Sequence, residues 1–531
     1  MVGRSLINHT LVIGEIPESE AIALRHVKSH VSTSTSGWGN AELAKHWLRN
    51  CVENHPGCRP SAQSSESNWL PTRLLHLGVD GEGNGTVRLL TTGDLDEQGR
   101  ENISYAALSH RWGHKKDFVA TSVNIRDYQA AVPVVTLSTT LQDAIQACRD
   151  LGFAYLWIDC LCIIQDDHAD WARESVTMSQ VYGFATCTIA AANSKHSSSD
   201  DGGDGLFSGR NPLHVRPCLV PNPFDPSSDR KFLVRPSYLL DIYDAEVRQS
   251  EWYSRGWVFQ ERTLSHRMLI FGRTQMLWAC QEVQCAESWP DGQSSDYFIN
   301  QFDSFNTDKA RFRRLTDPAR YVGADDSLWP TFIADYTRAG LTHGSDRLVA
   351  LQGIASSIEA ATGSPYAAGL WLDGTLPMSL LWTTKTPGLA RPRDYRAPSW
   401  SWASVDGSVV FNSDCYKGSG VIRNVRLVTL SHCLSVHTQY PVLGLQLSGC
   451  LLEAVVVTDP DGTGTLISSS WWRRMTRAVG TALLVGQQRY LTLDKTTIIE
   501  GSIASGLKIT VRPLFSACRL PTSQLTRNRR R

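Results

Sequence analysis

Tyr105-Ala-Ala-Leu-Ser-His-Arg-Trp-Gly113 and Leu156-Trp-Ile-Asp-Cys-Leu-Cys-Ile-Ile-Gln165 decide how this chain is read. Each is an apolar run that meets polar side chains. Ser109, Arg111 and Trp112 follow the first; Asp159 lies within the second and Gln165 closes it. Between them Leu141, Ile145, Cys148 and Leu151 recur at helical spacing, and Gly152 is a natural stop. Thr139-x-x-Gln142 has the form of a capping box at the start of that helix. A second helix is expected over 170–184 and a third strand over 186–191. Strands apolar on both faces that alternate with helices imply an α/β fold with a parallel sheet covered on both sides. The runs 105–109, 155–164 and 186–191 are therefore expected to be adjacent parallel strands. Open sheets of this kind bind ligands beyond the carboxyl ends of their strands.

Working outward, 1–100 reads as a helical N-terminal leader, with a helix at 41–54, a Ser-rich linker at 61–68 and a short strand at 86–90. The α/β domain occupies 101–265. A Ser/Asp/Gly-rich loop spans 194–209, and a short helix at 252–264 leads into a strand at 267–271. A mixed α/β region follows over 266–390, with a helix at 346–358. Residues 391–520 look mostly β, with strands at 399–410, 444–457 and 481–493 between turn residues. The basic end, 521–531, is expected to be a disordered tail.

The composition narrows the function classes. Of 531 residues, 42% are hydrophobic and 20% charged, which fits a packed chain rather than a disordered one. Lys+Arg and Asp+Glu each total 52, so no net field draws in nucleic acid or an anionic membrane. No run is long and apolar enough for a membrane helix, and the first residues lack the apolar core of a signal peptide. The thirteen Cys are odd in number and scattered, several inside apolar runs. That pattern points to reduced thiols in a cytoplasmic protein, not to a disulfide framework.

These motifs resemble the fungal heterokaryon-incompatibility (HET) domain. Tyr105 to Gly113 is similar to its opening block, and Leu156 to Asp166 to its central one. Trp171 to Met178 with Tyr182 matches the helix that follows. Arg255-Gly-Trp-Val-Phe-Gln-Glu261, then Leu264-Ser265, resembles the closing block. Two positions depart: His110 stands where the family usually has Tyr, and Ile164 where Asn is more usual. Flanking matches include Trp47-x3-Cys51-x3-His55-x2-Cys58, Leu70 to Leu75, Asp346 to Ala355 and Ala397 to Ala403. The resemblance implies an effector or regulator of non-self recognition and programmed cell death, in a system akin to innate immunity. It also implies a TIR/flavodoxin-like fold. Some TIR domains cleave NAD, so the resemblance brings NAD into view as a substrate, with no cofactor required. The rival implication is a non-catalytic module that associates with other proteins, including copies of itself.

Several side chains carry chemistry. Glu174 shares a helix face with Trp171, Met178 and Val181, where a carboxylate is costly unless paired or used. It is the catalytic candidate for glycosidic cleavage; otherwise it stabilises the first helical turn and reaches water. The related NAD-cleaving domains carry a glutamate on a comparable helix after a Trp, one residue further along than here. Asp159 is the second candidate, to be held by backbone N–H groups, Arg255 or Arg111, or else a structural brace. Ser109, Arg111, Trp112, Gln165, Arg255, Trp257, Gln260 and Glu261 would form a nucleotide pocket, or clamp a helix to the sheet. Cys160 and Cys162, placed on one face of a strand, read as packing rather than as nucleophiles. Cys51, His55 and Cys58 have ligand-like spacing with His46 as the local fourth group, but helix packing is the reading taken and no metal is expected. Thiol titration of the denatured protein should count all thirteen cysteines. A count lower by an even number would mean disulfides.

Overall fold

The structure, a computed structural model, describes residues 32–411 with breaks, the main ones at 60–68, 79–84, 113–117, 194–204, 295–307 and 318–327. It also describes the backbone of strands Leu11–Glu15, Arg426–Cys433, Val442–Ser448, Ala454–Thr458, Gly464–Ser468, Ile499–Glu500 and Lys508–Val511. The expected linker at 61–68, strand at 481–493 and tail at 521–531 lie outside the described residues, as does most of the 194–209 loop. The chain divides into two units, 1–324 with 335–363, and 325–334 with 364–531.

The first unit is organised by one nine-stranded sheet. Its strands are β1 (Arg73–His76), β2 (Arg88–Thr91), β3 (Tyr105–Ser109), β4 (Tyr155–Trp157), β5 (Cys187–Ala191), β6 (Arg267–Phe271), β7 (Met276–Cys280), β8 (Val283–Ala286) and β9 (Trp289–Ser294). Their order is β9-β8-β7-β6-β5-β3-β4-β1-β2. The pairs β3–β4, β3–β5 and β5–β6 are parallel, so the three expected strands are adjacent and parallel with β3 in the middle. The sheet as a whole is mixed. Antiparallel strands extend it on both sides, β1 and β2 from the leader and β7 to β9 after β6.

The flanking helices are α1 (Trp38–Asn54), α2 (Thr139–Leu151), α3 (His168–Phe184), α4 (Gly256–Leu264), α5 (Asp308–Thr316) and α6 (Asp346–Thr362). Helix α2 ends on Gly152 at φ 87°, the left-handed turn that glycine adopts without strain. Its start differs from expectation. Ser138 is the cap residue, and Gln142 Nε2 donates to the Leu137 carbonyl at 2.7 Å instead of closing a capping box. Helix α3 starts where the Asp167 carboxylate accepts from the Ala169 and Asp170 amides. Its far end is tied to the sheet by Tyr105 Oη to Val181 O at 2.7 Å and by Trp157 edge-on to Tyr182 at 5.7 Å. Along β5 to β7 the side chains alternate between two buried clusters, one with Ile189, Leu269 and Trp278, the other with Ala190, Ile270 and Leu277. A sheet apolar on both faces must be covered on both.

Three expectations are corrected. The second strand stops at Trp157, and Asp159–Cys162 is a helical turn. A continuous apolar run does not distinguish strand from buried helix by periodicity alone. Cys160 and Cys162 are therefore not on one face of a strand. Trp171 does not share the buried face of α3: it is 38% exposed, whereas Asp170, Glu174, Ser175, Met178, Val181 and Tyr182 are buried. Finally, most of the strand expected at 399–410 is irregular chain with a short 3-10 turn, and only Val409–Phe411 is β.

In the second unit Trp329, Tyr366 and Trp371 pack ring against ring, with Trp329–Trp371 centroids 5.1 Å apart. Trp402 Nε1 donates to Gly369 O at 2.9 Å. From Val409 onward every described element is a strand.

One ion pair joins β1 to α3. Arg73 grips the Asp170 carboxylate with two nitrogens, at 2.7 and 3.0 Å, and donates to Cys162 O. Asp170 is fully buried. Arg73→Met should destabilise the fold by about 3 kcal/mol, because it leaves a buried carboxylate with only the exposed Arg173, at 2.9 Å, as its cation. Arg73→Met combined with Asp170→Leu should recover most of the loss, as read from urea unfolding.

Candidate functional site

The carboxyl end of β3 lies where connections leave in opposite directions: β3 leads through α2 to β4 on one side, and β5 leads on to β6 on the other. Such a switch point leaves a crevice between neighbouring strand ends. Ser109, the last residue of β3, is fully buried there. Its Oγ donates to the Glu261 carboxylate and accepts from Trp252 Nε1 at 2.8 Å. Glu261 reaches in from α4 and is 6% exposed. Burial pushes its carboxyl up to about 7, and the nearby Asp159 charge adds to that. The hydrogen bond from the Ser109 hydroxyl, the Arg255 charge and the neighbouring Tyr182 hydroxyl pull the other way. The Tyr182 hydroxyl gives its own proton to Leu108 O at 3.1 Å.

Asp159 sits beside this group, on the turn after β4. Its Oδ1 accepts from the Cys160 amide and its Oδ2 from Trp112 Nε1, both at 2.7 Å. The expected backbone donor is therefore present, in the Cys160 amide. Arg255 Nη1 bonds His110 O at 2.9 Å, and Arg111 pairs with Glu251. His110 is buried, with Nδ1 3.7 Å from Asp159 Oδ1 and no hydrogen-bond partner on that nitrogen. Burial lowers its pKa, against the pull of Asp159. His110, Asp159 and Cys160 come close enough to offer three ligand atoms. The set is poor for a metal, since both Asp159 oxygens already accept N–H bonds and burial drives the Cys160 thiol far up.

The remaining candidates brace neighbouring elements. Gln165 Nε2 donates to the carbonyls of Asp159 and Ile163, at 3.1 and 3.0 Å, which closes the turn on itself. Trp257 Nε1 reaches Asp346 Oδ2 at 3.2 Å, and Gln260 Oε1 accepts from the Gly353 amide at 3.2 Å. Both clamp α4 to α6. Gly353 lets α6 pack closely on both α3 and α4, because a Cβ there would meet Ser179 Cβ of α3 at 2.2 Å and Gln260 Oε1 of α4 at 2.9 Å.

Glu174 is buried, as the helix-face argument requires, and burial raises its pKa. Its neighbours are Thr72 and Arg73, which hold the pKa down, so it faces the leader strand β1. Asp170 and Arg173 are the other charges that act on it. The carboxyl that joins Ser109 is Glu261.

Sequence reasoning missed Trp252 and the Arg73–Asp170 pair. Their partners are 143 and 97 positions away, so no local pattern marks them. Cys51, His55 and Cys58 lie together elsewhere, and the fourth group is Cys280, not His46.

Residues 105–261 match the family model described as "Heterokaryon incompatibility protein (HET)". The matched segment opens on the first residue of β3 and closes on Glu261. No curated protein and no solved structure matches the chain.

Glu261 sets a pH dependence. Its folded-state pKa of about 7 exceeds the ordinary 4.5, so the folded state holds the proton more tightly than the unfolded one. Its contribution to stability is full below pH 4.5 and is lost as the pH rises through about 7, amounting to about 3 kcal/mol at most. Glu261→Gln should flatten that part of the stability–pH profile, as measured by urea midpoints from pH 4.5 to 8. An unchanged slope would show the carboxyl to be solvated.

Proposed function

With residues 105–261 a HET domain, we propose that this protein is an effector or regulator of fungal non-self recognition and programmed cell death, acting through assembly rather than catalysis. One observation carries the mechanism. Apart from His110 Nδ1, the candidate polar side chains at the strand ends are spent on each other and on the backbone: Trp112 on Asp159, Arg255 on His110 O, Trp257 on Asp346, Gln260 on Gly353 and Gln165 on its own turn. A pocket for a nucleotide would keep some of those donors aimed at ligand. A rigid module that presents a fixed surface to other proteins, including its own copies, needs them satisfied. The order β4-β3-β5-β6, all parallel, supports the TIR/flavodoxin-like part of the reading, because it places the first strand between the second and third.

NAD cleavage is the second reading, and Glu261 favours it. A carboxyl near neutrality beside a serine hydroxyl at a switch point is where an acid–base group would be poised. In that reading Glu261 rather than Glu174 is the carboxylate to test.

Induced expression in a filamentous fungus should arrest growth with the wild-type chain. Arg255→Ala, which breaks the link to His110, should relieve the arrest by tenfold or more in surviving colonies. Purified protein clustered on a scaffold and incubated with NAD should release no nicotinamide above a buffer control. Release that Glu261→Gln abolishes would overturn assembly in favour of catalysis. No arrest by the wild type at confirmed expression would count against the effector role.

A further inference from the structure

Cys51, His55, Cys58 and Cys280 bring three sulfurs and one imidazole nitrogen together, all within 4.8 Å of one another. The groups come from two distant segments. Cys51 lies in the last turn of α1, and His55 ends that helix. Cys58 closes the short 3-10 turn Pro56–Cys58. Cys280 is the last residue of β7, at the tip of the β7–β8 hairpin. All three cysteines are fully buried and free, and all belong to the apolar core. From these positions we propose a structural zinc site with a three-cysteine, one-histidine ligand set that clasps the N-terminal segment to the sheet.

The geometry fits the ion. Zn–S bonds of about 2.3 Å and Zn–N bonds of about 2.0–2.1 Å around a tetrahedron leave neighbouring ligand atoms about 3.5–3.8 Å apart. Cys280 Sγ and His55 Nδ1 stand 3.4 Å apart. Soft sulfur with one imidazole selects zinc over magnesium or calcium. Four protein ligands leave no open position, so the role is structural and not catalytic.

The surroundings complete the argument. The Val283 amide donates to Cys280 Sγ at 3.2 Å, the kind of N–H···S contact that steadies a thiolate ligand. The same hairpin tip holds the 3-10 turn a second way, through Glu282 Oε1, which accepts from the Gly57 amide at 2.6 Å. Arg267 Nη2 fixes the turn from below by donating to Cys58 O at 2.9 Å. Binding displaces one proton from each thiol. Three thiolates, a neutral imidazole and Zn2+ then sum to one negative charge. Arg267 and Lys309 are cations buried nearby that complement it. The nearer local group, His46, is not part of the set.

Full-length protein purified in metal-free buffer should carry about one zinc per chain by mass-spectrometric metal analysis, and Cys58→Ser and Cys280→Ser should carry close to none. Cys148→Ser, a buried cysteine on α2, should keep its zinc. Cys280→His preserves a tetrahedral ligand set and should retain most of it. Should the serine variants fail to fold, the wild type still decides: cobalt exchanged into it should give thiolate-to-cobalt absorption, and a strong chelator should lower the melting temperature. Folded wild-type protein free of metal that takes up no cobalt would overturn the site. So would a native disulfide among Cys51, Cys58 and Cys280, or equal zinc loss in Cys148→Ser.

Discussion

Glu261 has lost nearly all contact with water, and a carboxyl is kept in such a place only where donors converge on it. Favourable groups reach it from separate parts of the chain: the Ser109 hydroxyl donates from the end of β3, and the Tyr182 hydroxyl of α3 and the Arg255 charge at the approach to α4 lie beside it. Those elements must therefore meet at one point. The sheet end, the helix after β4 and the closing helix of the matched segment are fixed relative to each other by the need to satisfy one acid. Trp252, hydrogen-bonded to Ser109, seals the same point.

The same requirement recurs along the sheet. Asp170 is buried where α3 begins, and Arg73 of β1 answers it. Asp159 is answered by Trp112 and the Cys160 amide where the chain turns after β4. Each node lies at a junction between a helix and the sheet. Apolar packing would hold those elements together with some freedom to slide. Directional bonds to buried carboxyls remove that freedom.

The matched segment does not stand alone in the sheet. Strands β1 and β2 come from before it and β6 to β9 from after it, so both edges of the parallel portion are covered by chain outside 105–261. The early segment is attached at two separated places. Its strands pair beside β4, while α1 and the turn after it pack beside β7, where the proposed zinc clasp lies. Trp47 adds a hydrogen bond to Pro290 O at 2.8 Å.

Much of this was legible in the sequence. The apolar runs at Tyr105 and Leu156, the helix ending on Gly152 and the strand before Asn193 all follow from patterns repeated over a few residues. Parallel pairing follows from the helices between the strands. The face shared by Met178 and Val181 left Glu174 either buried or at the edge of water, and the packing of α3 decided for burial. Local pattern runs out where the partner is remote. It does not tell that the strand ends at Trp157, because an apolar run is equally at home in a buried turn. It does not tell that Glu174 meets Thr72 and Arg73 while Glu261 meets Ser109, since those pairs are about a hundred or more positions apart and each side chain alone is only a polar group in need of a partner. Nor does the spacing of Cys51, His55 and Cys58 disclose Cys280. The sequence by itself determined which segments must be buried and which form they take. Only the tertiary structure decided which polar groups meet inside, because that depends on which distant elements the packing of the sheet brings side by side.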